Sequence, residues 1–269
     1  METMPEEKNK LFWNEVAPVH YESYDIEHLK KTGSLIDTIQ LEEVGDVTNK
    51  TLLHLQCHIG TDTLSWVYRG AHVTGVDFSS KSLKIAESLS RDLERDARFI
   101  HANIFDLPAI HNETYDIVYT SKGVLSWIRD IDEWARIIRH FLKPEGFFYI
   151  MEIHPVAYMF DDEKKEFPQI KYSYFGNKKP MYFEAGGPDY SNQEYIVKHP
   201  HYEWIWSLGN IFNALIQAGM EIRFFHEYDK AIDKMLPQME EDESGWWYMP
   251  GYEGKVPFTF TLKATIKQK

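Results

Sequence analysis

Between residues 51 and 152 the hydrophobic positions switch period in a regular order. Thr51 to Leu55 reads as a buried strand, Asp62 to Tyr68 as a helix, and residues 72–76 as a second strand running into Asp77. Gly70 stands where a helix favours a C-cap glycine. Ser79 or Ser80 caps the next helix, in which Leu83, Ala86, Leu89 and Leu93 recur at three- and four-residue spacing. Arg98 to His101, Tyr115 to Thr120 and Phe147 to Glu152 read as strands. A helix before the last of them gathers Ile131, Trp134, Ile137, Ile138 and Phe141 on one side, and Lys143-Pro-Glu-Gly146 is a turn. This alternation predicts a doubly wound α/β domain, a mostly parallel sheet with helices on both faces.

Outside that stretch the pattern is looser. Residues 8–21, with Leu11, Phe12, Trp13, Val16, His20 and Tyr21, predict a short amphipathic arm. Residues 26–43, with Ile26, Leu29, Ile36, Ile39 and Leu41, predict one helix, broken by Gly45 and Asp46. Residues 155–206 are crowded with aromatics from Tyr158 to Trp206 without a sustained helical period. An insertion of that length in a compact α/β domain is more often functional than idle. Ser207 caps a helix bearing Leu208, Ile211 and Leu215, and Gly219 ends it. Strands at 220–228 and 257–266 have no helix between them and are expected to pair antiparallel. The connecting segment 229–256 is acidic at Glu240 to Glu243 and aromatic at Trp246-Trp-Tyr248. The expected organisation is one domain. It comprises an arm at 1–46, a cofactor-binding core at 47–154, a lid insertion at 155–206, and completion of the sheet at 207–269 around a second insertion at 229–256.

Composition narrows the partners. With 269 residues the chain can bury a sizeable core. A formal charge of −13 argues against a nucleic-acid binder, which needs a basic footprint. One cysteine, Cys57, excludes internal disulfides, and no apolar run reaches the roughly 18 residues of a membrane span. With no apolar leader at the N-terminus, the expectation is a cytoplasmic globular protein with neither a membrane nor nucleic acid as partner.

The loop after the first strand carries the candidate chemistry. A dinucleotide fingerprint wants glycine at three places so that backbone can approach a pyrophosphate. Here those places hold Gln56, His58 and Gly60, which disfavours a nicotinamide oxidoreductase. A cofactor without phosphates relaxes the requirement. Asp77 ends the second strand about 20 residues on, where a carboxylate accepts from both ribose hydroxyls, or alternatively caps a helix. Asn103 offers an amide oxygen to an adenine amino group, with Ile104 against its face; alone, the pair reads as a turn.

Leu53 to Gly60 with Asp77, Asn103-Ile-Phe-Asp-Leu-Pro108, Tyr115-Asp-Ile-Val118 and Leu142-Lys-Pro-Glu-Gly146 together resemble the class I S-adenosylmethionine-dependent methyltransferases, most of all uncharacterised bacterial small-molecule types. The resemblance implies a Rossmann-like seven-stranded sheet with an antiparallel last strand, S-adenosyl-L-methionine as cofactor, and a small-molecule methyl acceptor. It places Gln56, Cys57, His58 and Gly60 at the methionine part, Asp77 at the ribose and Phe78 beside the adenine, with Ser82 also among the cofactor-binding residues. Asn103 and Ile104 fall at the adenine, and Ser121 and Lys122 at the methyl-donor pocket. The chain departs from the family pattern at His54, where an acidic residue is usual, at Gln56 and His58, and at Asn103 in place of a common Asp.

Methyl transfer is an in-line displacement on an electrophilic sulfonium, so the enzyme positions the acceptor and removes a proton where the nucleophile carries one. Glu152 and His154, two residues apart on a strand end, point the same way, with His154 as base and Glu152 orienting it. His20 on the arm is a second candidate. His199-Pro-His201 raises a metal site, but no carboxylate-histidine signature supports it, and no metal is expected. A non-catalytic S-adenosylmethionine-binding protein on the same fold is the alternative function.

Overall fold

The computed structural model describes residues 4–176 and 179–268. Three helices, α1 (Pro5–Ser23), α2 (Ile26–Thr32) and α3 (Thr38–Val44), precede the alternating region. This runs through β1 (Thr51–Leu55), α4 (Thr61–Tyr68), β2 (His72–Asp77), α5 (Ser80–Asp92) and β3 (Arg98–His101). It continues through the single turn α6 (Leu107–Ile110), β4 (Tyr115–Ser121), α7 (Ile131–Phe141) and β5 (Leu142–Ile153). The first insertion holds the hairpin β6 (Met181–Phe183) and β7 (His201–Glu203). Then come α8 (Leu208–Gln217) and β8 (Met220–Tyr228). The second insertion forms a small sheet of β9 (Lys230–Ala231), β10 (Glu240–Glu241) and β11 (Trp247–Tyr248), before the last strand β12 (Thr259–Ile266).

The main sheet has seven strands in the order β3-β2-β1-β4-β5-β12-β8. β1 to β5 run parallel, and β12 lies antiparallel to both β5 and β8, as the helix-free connection predicted. The strand order reverses between β1 and its neighbours β2 and β4. In such sheets that is the switch point where ligands bind, beyond the carboxyl ends. Both faces are covered. On one, Trp134, Ile138 and Phe141 of α7 pack on Phe148, Ile150 and Phe260. On the other, Leu52, Trp66, Tyr119 and Tyr149 form a second core. Asp130 caps α7 by accepting from Glu133 N at 2.9 Å, and burying each large apolar side chain contributes about 1.5–3 kcal/mol.

Three expectations needed revision. The single helix at 26–43 is two, because Gly33 turns left-handed (φ 88°) and Asp37 starts a new cap. The short arm at 8–21 is a 19-residue helix that packs against α5 and β7. The Lys143–Gly146 turn is an outward loop within β5. Tyr115 pairs with Leu142 and Ile117 with Phe147, so the four residues bulge opposite Asp116.

Candidate functional site

The backbone after β1 makes the site. Gln56 (φ 58°), His58 (φ 50°) and Gly60 (φ 77°) all adopt left-handed conformations, so the loop keeps a glycine-type path with glycine at only one of the three places. That conformation costs a non-glycine L-residue about 1–2 kcal/mol, so Gln56 and His58 store strain. Gly60 has a packing reason to be glycine. A Cβ there would lie 2.8 Å from Ala86 Cβ on α5. Cys57 N donates to Val76 O and His58 N to Asp77 Oδ2, both at 2.9 Å, which ties the loop to β2.

A cavity of about 260 Å³ opens beyond these strand ends. Gln56, Cys57, His58, Asp77, Phe78, Asn103, Ile104, Ser121 and Lys122 all line it. Asp77 sits at the junction of β2 and α5, 6% exposed, accepting from His58 N and from Ser79 N at 2.7 Å. Burial pushes its carboxyl up to about 6 against those hydrogen bonds. Asn103 Oδ1 accepts from Phe105 N at 3.1 Å, which shapes the turn after β3. Gln56 Nε2 reaches Val124 O at 3.4 Å, while its buried Oε1 has no partner. A buried acceptor at the cavity wall fits a ligand that brings N–H or O–H groups.

Other expected site residues lie elsewhere. Gly60 and Ser82 are absent from the cavity wall. Gly60 sits against α5, and the buried Ser82 hydroxyl lies under the loop, 3.0 Å from His58 Nδ1. Glu152 and His154 do not line it either, and Glu152 does not orient His154. The Glu152 carboxylate is fully engaged by Gly123 N (2.5 Å), Val124 N (2.8 Å), Leu125 N (3.0 Å) and Ile153 N (2.7 Å). It therefore fixes the loop carrying Ser121 and Lys122. His154 Nδ1 accepts from Val156 N, and Nε2 lies 3.0 Å from Glu227 Oε1. Burial lowers the His154 pKa despite that carboxylate. His199 binds Glu15, and His201 contacts Glu203 while stacking on Phe183. No group of metal ligands forms among the described residues.

The cavity is closed by the N-terminal segment and by both expected insertions, through residues that the sequence did not single out. Glu6, Asn9 and Trp13 enter from α1, Tyr24 from the link to α2, Tyr190 from the first insertion, and Ile232 and Asp233 from the second. His54 and Asp62 also face it. His54 bonds Thr63 Oγ1 at 2.8 Å, and burial drives its pKa down to about 4, so it is neutral where an acid is usual. Asp62 accepts from Tyr119 OH at 3.0 Å. Just behind the wall is His20, fully buried. Its Nε2 stands 3.2 Å from Asp189 Oδ2, and its Nδ1 lies 2.9 Å from His58 Nε2 and 3.5 Å from Tyr190 OH.

Residues 53–148 match the methyltransferase domain family. The ubiquinone biosynthesis O-methyltransferase of Saccharophagus degradans is 29% identical over 122 residues, covering 45% of this chain and 51% of that protein. The malonyl-[acyl-carrier protein] O-methyltransferase of Bacillus anthracis is 28% identical over 133 residues, covering 49% of this chain and 47% of that protein. The chain thus spans about half the length of these curated relatives. The structure of an S-adenosylmethionine-dependent methyltransferase from Clostridium acetobutylicum superposes with a TM-score of 0.58 at 15% identity, covering 95% of this chain and 99% of that one. The fold is that of the class I S-adenosylmethionine-dependent methyltransferases, and the stretch that matches the family model, residues 53–148, spans β1 to β5 of its sheet. No helix among the described residues is long and apolar enough to cross a membrane.

Proposed function

We propose that the protein is an S-adenosyl-L-methionine-dependent methyltransferase acting on a small molecule. The observation that carries this is the buried Asp77 carboxylate, facing the cavity at the switch point of a methyltransferase-fold sheet. In this reading Asp77 accepts the ribose hydroxyls, Phe78, Asn103 and Ile104 hold the adenine, and Gln56, Cys57, Ser121 and Lys122 surround the methionine end. When bound, the cofactor supplies a sulfonium methyl for in-line displacement.

The two insertions and α1 act as the lid. Tyr24 and Tyr190, whose hydroxyls are 2.8 Å apart, stand at the acceptor end. His20 is the base. Asp189 takes its Nε2–H, and Nδ1 receives the proton of an O–H, N–H or S–H acceptor through the Tyr190 hydroxyl; His58, as the Nδ1–H tautomer donating to Ser82 Oγ, offers Nε2 to the Nδ1–H so formed. The acceptor lone pair forms the new bond to carbon, the carbon–sulfur pair stays on sulfur, and the proton ends on His20. Incubation with methyl-labelled S-adenosylmethionine and a panel of oxygen, nitrogen and sulfur nucleophiles tests this. Labelled product with stoichiometric S-adenosylhomocysteine supports it. Tight cofactor binding with no transfer to any class would favour a non-catalytic binder.

A further inference from the structure

His58 is costly at its position. Its backbone is left-handed, a conformation glycine would adopt freely, and its imidazole is half-buried at the cavity wall, with its pKa held well below the ordinary histidine value by burial and by the neighbouring His20. A non-glycine residue kept in such a conformation points to a task for its side chain. The main chain of His58 donates to Asp77, and its ring bridges two elements far apart in sequence. Nδ1 lies 3.0 Å from Ser82 Oγ on α5, and Nε2 lies 2.9 Å from His20 Nδ1 on α1. His20 in turn meets Asp189, a 1% exposed carboxylate in the first insertion. Asp189 is anchored in its own loop by Ser191, whose N and Oγ both donate to Oδ1. One unbroken chain of contacts therefore runs from the ribose-facing carboxylate to the insertion over the cavity.

We propose that His58 is a positioning residue that couples cofactor binding to closure of the first insertion, by way of His20 and Asp189. A ligand on Asp77 fixes the His58 peptide, which fixes the ring. The ring then holds His20 in the orientation that Asp189 grips. Because linkage is reciprocal, a docked insertion also favours the Asp77 geometry that receives the ribose. Other polar ties between α1 and the insertion, Asn9 to Tyr202 and Glu15 to Tyr195, Lys198 and His199, lie nearer the N-terminus of α1 and do not touch the cofactor loop. They dock the insertion without sensing the ligand. The inference rests on the cofactor reading above.

Hydrogen exchange on the full chain, with and without S-adenosylhomocysteine, tests the coupling. In the wild type, the ligand slows exchange across 187–197 and 17–24 at least tenfold. In His58→Gly, which relieves the backbone strain, S-adenosylhomocysteine binds within about tenfold of wild type but no longer protects 187–197. Asp189→Asn loses the same protection with the loop intact, which keeps the test valid should the glycine variant misfold. Ligand-induced protection of 187–197 that persists in both variants overturns the proposal. So does its absence from a wild type that binds the ligand. Failure of the wild type to bind S-adenosylhomocysteine at all would instead overturn the cofactor reading.

Discussion

The two walls of the cavity are built by different means. The floor, formed by the loops after β1 to β4, is held by short-range backbone devices. His58 N and Ser79 N converge on Asp77, Asn103 folds its own turn, and Glu152 gathers the amides of Gly123 to Leu125. The roof, formed by α1 and the insertions, is held by side-chain contacts across very long sequence separations, such as His20 to Asp189, Tyr24 to Tyr190 and Asn9 to Tyr202. A floor set by backbone geometry suits a cofactor common to many enzymes. A roof set by side chains can be redrawn for a particular acceptor without disturbing it.

If that division of labour is real, damage to each wall has a different signature. The largest effect is expected in the roof. His20→Ala lowers kcat about 10²- to 10⁴-fold while S-adenosylhomocysteine affinity shifts far less, because a general base acts only on the reacting acceptor. Equal losses in both quantities would erase the distinction. In the floor, Glu152→Ala strands three loop amides, two of them buried, and costs about 3–5 kcal/mol, read as a lowered unfolding midpoint in urea.

Acid supplies a third, milder probe. In the proposed role Asp77 holds both ribose hydroxyls as the ionised carboxylate, and burial pushes its pKa up to about 6. Affinity for S-adenosylhomocysteine therefore holds above pH 6 and falls about tenfold per unit below it. Asp77→Asn is weak throughout and flat over that range; calorimetry at pH 5 to 7.5 checks both. The smallest effect belongs to Glu15→Ala, which removes the part-exposed roof contacts to Tyr195, Lys198 and His199 and costs about 1–2 kcal/mol in thermal denaturation without changing cofactor affinity.

The same contrast decides what the sequence revealed. Strands β1 to β5 and their helices were legible because each carries its own period, and Asp77 and Asn103 because they follow strands at a fixed remove. The antiparallel end of the sheet followed from the missing helix between β8 and β12. The left-handed backbone of Gln56 and His58 was hidden, since neither side chain signals positive φ. Gly33 was read through, since isoleucine spacing on both sides imitated a continuous helix. Glu152 and His154 looked like a pair because strand alternation puts them on one side. It cannot show that loop amides claim the carboxylate. Tyr190 and Asp233 were invisible as wall residues, and Asp189 as the partner of His20, because only the folded chain brings them to the N-terminal segment and the cavity.

Calorimetric titration of S-adenosylhomocysteine into the wild type and Asp77→Ala, at neutral pH, tests the central claim most directly. The account predicts one site per chain in the wild type and at least tenfold weaker binding in the variant. An intact, folded wild type that takes up no ligand, or an Asp77→Ala protein that binds as tightly as the wild type, would contradict it.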